Sequence, residues 1–148
     1  MDGRTARRAD TRGTILNAAT KLFVAKGMSA TSVDDIAEAA QVAKGSIYYN
    51  FSSKDALVEA LMTRHLDQAR ATLAAAAEGL VGVERQRAIL GALLRGVQDN
   101  PDTARIMVSE TFRTDRPWRD AAQAWRDVTM ELLIDDLIAT RGAEKADE

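Results

Sequence analysis

The chain is predicted to be all-α, with an N-terminal three-helix head carrying a helix-turn-helix and a helical body behind it. Three observations predict this. Apolar residues recur at three- and four-residue steps through most of the length, and no alternating run reads as a convincing strand. Capping signals (Gly, Ser, Asn-Pro) fall at the ends of these periodic stretches. Apolar residues make up 46% and charged residues 28% of 148 residues, a composition that can bury a core.

Residues 1–10 carry Arg4, Arg7 and Arg8 and, after Met1, no large apolar residue, which predicts a polar arm, mobile when free. The first helix is placed at 11–26, where Ile15, Leu16, Ala19, Leu22 and Phe23 share a face. Gly27 is its expected stop, because glycine accepts the left-handed C′ conformation cheaply. Ser32 is the expected N-cap of the second helix, with Asp35 favoured by the N-terminal dipole. Val33, Ile36, Ala37 and Ala40 form its buried face, and Gln41-Val42-Ala43 makes the turn. The third helix spans 44–50, with Ile47 and Phe51 pointing inward. Ser53 caps the fourth, which runs from near 54 to 77 on Leu57, Leu61, Leu66, Ala69 and Leu73.

Gly79 and Gly82 mark a break. The fifth helix, 83–98, is built on Ile89, Leu90, Leu93, Leu94 and Val97. Asn100-Pro101 is an N-cap followed by proline at the first helical position, and opens a sixth helix to about 112. Pro117 opens a seventh, and Gly142 ends it.

The net charge of −2 conceals an asymmetry. Residues 1–54 hold 8 Lys/Arg against 5 Asp/Glu, a balance of +3, and the remainder holds 12 against 17, a balance of −5. A positive end suits phosphate contact, and an acidic body stays off a polyanion. With no Cys and a single His, His65, the chain lacks the parts for a thiolate metal site, a disulfide framework or a Ser-His triad. Neither a signal-peptide-like apolar run near the start nor a membrane-spanning run is present. Glu131 and Asp135-Asp136 read as a solvated helix face, so no catalytic residue, metal or cofactor is expected.

A short helix bearing Lys44, Ser46, Tyr49 and Asn50 suits the DNA major groove, where Lys can donate to guanine and Asn can pair with adenine. Arg4, Arg7, Arg8 and Arg12 are candidates to reach an adjacent minor groove or phosphates.

The stretch from Gly27 through Thr31-Ser32-Val33, Ile36-Ala37, Ala40, Val42, Lys44-Gly45-Ser46-Ile47-Tyr48-Tyr49-Asn50-Phe51 to Lys54–Leu57 resembles the TetR family of bacterial transcriptional regulators. The likeness extends upstream through Ile15-Leu16, Ala18-Ala19 and Leu22-Phe23. It implies a DNA-binding domain over 9–69, with its helix-turn-helix at 32–51, and an effector-binding and dimerisation region over 70–142, short for the family. It implies that Gly45 lets the recognition helix lie close to DNA, that Tyr48 and Lys54 contact phosphates, and that Thr31 and Ser32 add contacts from the second helix. Three positions depart from the family pattern. Gln41 stands where Gly is usual, costing up to ~1 kcal/mol if its φ is positive. Ala43 stands where Ser or Thr caps the recognition helix, and Asn50 replaces His.

The resemblance further implies a cytoplasmic, nucleoid-associated bacterial protein, not an enzyme: a ligand-responsive regulator, of repressor sign, binding a palindromic double-stranded operator as a homodimer. A small apolar effector is expected among helices four to seven, with Leu93, Met107, Phe112, Trp118, Trp125 and Met130 as lining candidates. Trp118, Ala121, Ala122 and Trp125 are interface candidates if helices six and seven form the dimer. Two rival readings are a regulator whose body binds a protein partner, favoured by a closed core, and an enzyme with a vestigial head.

Overall fold

Among the described residues the helices with continuous bounds are α1 Gly3–Lys26, α2 Val33–Ala39, α3 Lys44–Asn50, α4 Lys54–Ala77, α5 Gly82–Asp99 and α6 Pro101–Thr111. The computed structural model describes residues 3–111, 118–121, 123, 124, 126, 127, 130, 131 and 134, and of residues 3–9 and 111 the backbone alone. Backbone at 119–121, 123, 124, 126, 127, 130, 131 and 134 is helical, within the stretch where a seventh helix is expected. No strand occurs among the described residues. The chain divides into two units, Met1–Leu61 and Met62–Glu148, so the division falls inside α4 rather than at 69/70.

In the first unit α1 packs on α2 and α3, and α2 packs on α3. Ile15, Ile36, Ile47, Leu57 and Val58 are fully buried at its centre. Each such side chain contributes about 1.5–3 kcal/mol by leaving water. Gly27 takes φ +85° after Lys26 and its N–H bonds back to the Phe23 carbonyl, the expected helix stop. One expectation fails: α1 starts at Gly3, so residues 3–10 are helix rather than a free arm. Arg4 to Arg12 are mostly good helix formers with no proline, and an existing helix propagates at little cost once its later turns are packed.

The α2–α3 turn explains the departure at Gln41. Helix α2 ends in a Schellman motif: the Val42 N–H bonds the Ala37 carbonyl at 3.0 Å and the Gln41 N–H bonds the Glu38 carbonyl at 3.0 Å. The motif demands a left-handed residue at C′, and Gln41 supplies it at φ 56°. Ala43 precedes α3 without any side-chain cap, as its methyl group dictates.

In the second unit, Leu73 and Ala77 of α4 pack with Ile89 and Ala92 of α5, and α6 packs on α5. The expected α5 face is corrected here. Ile89 is buried and Leu93 partly so, but Leu90, Leu94 and Val97 are exposed. Helix α5 carries two apolar stripes a third of a turn apart, and Ala92 completes the one that α4 covers.

Candidate functional site

Helix α3 is seven residues long, too short to hold its shape unaided. It is held from behind by Ile47 and Phe51, which are 1% and 3% exposed. At 100° per residue, Lys44, Tyr48, Gly45 and Tyr49 occupy one continuous arc, and all four are exposed. Tyr48 is 50% and Tyr49 70% exposed. Ser46 is half-buried at the arc's edge. A Cβ added at Gly45 would meet nothing within 4 Å. No packing inside the protein therefore requires glycine there, and glycine costs about 0.5–1 kcal/mol in a helix.

Asn50 does not join the arc. It is 8% exposed, its Nδ2 donates to the Ser46 carbonyl at 2.8 Å, and its Oδ1 is buried without a partner. Its position, 240° round the helix from Lys44, turns it toward the core, so it is not placed to read a base edge. Arg12 of α1 closes over the same end of α3. Its Nη1 donates to the Asn50 carbonyl at 2.7 Å and its guanidinium lies 4.2 Å from the centre of the Phe51 ring. A cation at a helix C-terminus meets orphan carbonyls and the negative end of the dipole. Arg12 thus clamps α3 onto α1, a role its sequence position did not suggest. The side chains of Arg4, Arg7 and Arg8 lie outside the described residues.

The start of α2 is stitched together by polar groups. Ser32 Oγ accepts from the Asp35 N–H at 3.0 Å, and the Ser32 N–H donates to Asp35 Oδ2 at 2.7 Å, a complete capping box. Lys26 Nζ sits 2.9 Å from the same Oδ2. The bonds from Lys26, then from Ser32, hold the Asp35 carboxyl far below the usual carboxylate range. Thr31 is 1% exposed and its Oγ1 donates to the Gly27 carbonyl at 2.8 Å, so its side chain serves the turn and is not on offer to an outside ligand. Ser32 is exposed. Lys54 is half-buried and donates to the Met28 carbonyl at 2.6 Å, using one of three ammonium donors. Lys44 Nζ pairs with Asp34 at 2.8 Å, and that bond raises its pKa.

The second unit holds a cavity of ≈ 290 Å³ between α4, α5 and α6. Of the lining candidates, Leu93 and Met107 stand on its wall, with His65, Gln68, Ala69 and Leu73 of α4. Trp118 is not on its described wall. It is buried, and its indole N–H donates to the buried Glu110 carboxylate at 3.0 Å. Met130 is 50% exposed and is also off the wall. Phe112, Trp125 and Ala122 lie outside the described residues, and Ala121 is half-buried. Nothing in the sequence places His65 at a cavity, because periodicity carries no signal for one.

Comparison with known proteins bears on the first unit most directly. Residues 15–61 match the family described as bacterial regulatory proteins, tetR family. The chain is 49% identical over 51 residues to the uncharacterized HTH-type transcriptional regulator YvkB of Bacillus subtilis, covering 34% of this chain and 27% of that protein. It is 41% identical over 56 residues to the HTH-type transcriptional repressor KstR2 of Mycobacterium tuberculosis, covering 38% of this chain and 28% of the relative. These matches therefore span little more than a quarter of the relatives' length. A crystal structure of a TetR-family transcriptional regulator from Bordetella parapertussis superposes with a TM-score of 0.75 at 26% identity, covering 91% of this chain and 71% of that one.

Proposed function

From the match of residues 15–61 to the tetR family we propose that this chain represses transcription by binding a palindromic operator as a homodimer and letting go, or taking hold, when a small effector enters its body. One observation carries the DNA-binding part: two tyrosines and a lysine stand exposed around Gly45, whose missing side chain has no use inside the protein. A close-lying partner explains both. Two heads in a symmetric dimer would set their α3 helices in successive major grooves, roughly 34 Å apart. Lys44 and Tyr49 are assigned to base edges with Ser46 beside them, and Tyr48, Lys54 and the exposed Ser32 to phosphates. Lys44 must exchange Asp34 for its base.

The body reading is supported by the cavity, which favours a small molecule over a protein partner as effector. The name of the KstR2 relative supports repression as the sign. A ligand shifts a conformational equilibrium only by its differential affinity for the two states, so the effector must prefer one arrangement of the dimer. A cytoplasmic, nucleoid-associated location follows from a DNA target.

The test is selection of duplexes from a random pool by the full chain, followed by binding isotherms over a salt series. Lys54→Ala should weaken binding to all duplexes alike and reduce the salt slope by about one. Lys44→Ala should change which duplex is preferred. Absence of duplex binding at low ionic strength, or identical behaviour of the two variants, refutes the assignment.

A further inference from the structure

The cavity of the second unit has a distinctive chemistry. Its described wall contains no Asp, Glu, Lys or Arg. Ala69, Leu73, Ala92, Leu93 and Met107 give it an apolar surface, and Gln68 and His65 stand together on the α4 side. An ionised ligand entering such a wall would lose hydration with no charged side chain on the wall to replace it, and Arg64, whose charge reaches His65, stands off that wall.

Thr72, Asn100 and Thr103 add polar groups to the wall, and His65 is the one among its lining residues with a buried, unpaired side-chain polar atom. Its Nε2 is buried and bonds to nothing in the protein. Burial, with the nearby Arg64 charge acting the same way, pushes the imidazole pKa down, while a hydrogen bond with Gln68 opposes that shift. Nε2 has no partner, which leaves Nδ1 for the Gln68 bond; when Nδ1 carries the proton, the neutral ring presents a lone pair on Nε2. As the ring stands Nε2 is shut off from the open cavity, so an incoming hydroxyl reaches it only when the ring turns, a change that gives up the Gln68 bond and relieves a costly unpaired acceptor.

We propose that the cavity takes a small uncharged molecule with an apolar body and one hydroxyl, the hydroxyl donating to His65 Nε2. This rests on the reading of the body as the effector-binding unit. It narrows that reading from an apolar ligand of any kind to alcohols or phenols, and excludes carboxylates and amines. His65 is then a specificity-determining residue.

The test is calorimetric titration of the full chain at neutral pH with three matched probes: 4-propylphenol, 4-propyltoluene and 4-propylbenzoate. The phenol should bind about tenfold tighter than the hydrocarbon, the gain expected from one well-made buried hydrogen bond. The carboxylate should bind more weakly than the phenol. His65→Phe should bring phenol and hydrocarbon to equal affinity, and His65→Gln, which restores an acceptor, should recover part of the preference. If His65→Phe does not fold, His65→Leu carries the same comparison. Equal binding of phenol and hydrocarbon by the wild type overturns the hydroxyl assignment and leaves the cavity as a general apolar site. Tightest binding of the carboxylate, or a phenol preference that survives His65→Phe, overturns it as well. If no probe binds to a chain that still binds duplex, the effector reading itself falls, and this proposal with it.

Discussion

Gln41→Gly should stabilise the first unit. Gln41 is the one non-glycine residue with positive φ among those described, at 56°, and its side chain is exposed. Both Schellman bonds run through backbone N–H groups and carbonyls, so the substitution leaves them intact. Removing Cβ relieves the left-handed penalty of about 1–2 kcal/mol. Against this stands the extra freedom glycine has in the unfolded chain, about 0.5–1 kcal/mol. With both ranges at their midpoints the net is a gain of about 0.75 kcal/mol, which is roughly 3–6 °C in midpoint for a cooperative unit of this size. The assay is thermal and urea unfolding followed by circular dichroism, with Gln41→Ala and Gln41→Asn alongside. Alanine keeps Cβ and should show no gain, and asparagine, which tolerates this conformation, should fall between. A glycine variant no more stable than wild type, or an alanine variant as stable as glycine, would refute the assignment of strain to Cβ.

Two further outcomes are expected in the head. Ser32→Ala removes the oxygen that caps α2 and should cost about 1 kcal/mol in urea unfolding. The Asp35 carboxyl has a depressed folded-state pKa, so its contribution is present above its unfolded value of about 3.9 and is lost as pH falls through the folded one. Asp35→Asn should therefore flatten the acid limb of stability below about pH 4, and an unchanged limb would show that Lys26 and Ser32 do not hold the charge. Arg12→Leu removes the bond to the Asn50 carbonyl and the stack on Phe51. Duplex affinity should drop with the salt slope unchanged, because Arg12 positions α3 rather than touching phosphate; a slope reduced by about one would make it a direct contact instead.

Local signals read well from the chain. The stop at Gly27, the cap at Ser32, the Asn100-Pro101 start of α6 and the conditional strain at Gln41 each depend on a few neighbouring backbone atoms, so residue type alone reports them. The outward arc of α3 was legible for Lys44, Gly45, Tyr48 and Tyr49, since helical spacing decides which residues share a face. Periodicity could not choose between the two apolar stripes of α5, because both satisfy it; only the partner supplied by α4 decided that Ile89 goes in and Leu94 stays out.

What the linear chain determined, then, is the helical order, the capped boundaries and a short groove-sized helix near one end. Tertiary structure decided which polar residues are consumed by the fold. Arg12 meets Asn50 across 38 positions and Lys54 meets Met28 across 26. Thr31 and Asn50 became interior groups, and His65 came to stand on a cavity wall. The physical reason is that a polar side chain settles where its hydrogen bonds are met, and the groups that meet them are brought from distant turns only when the helices pack.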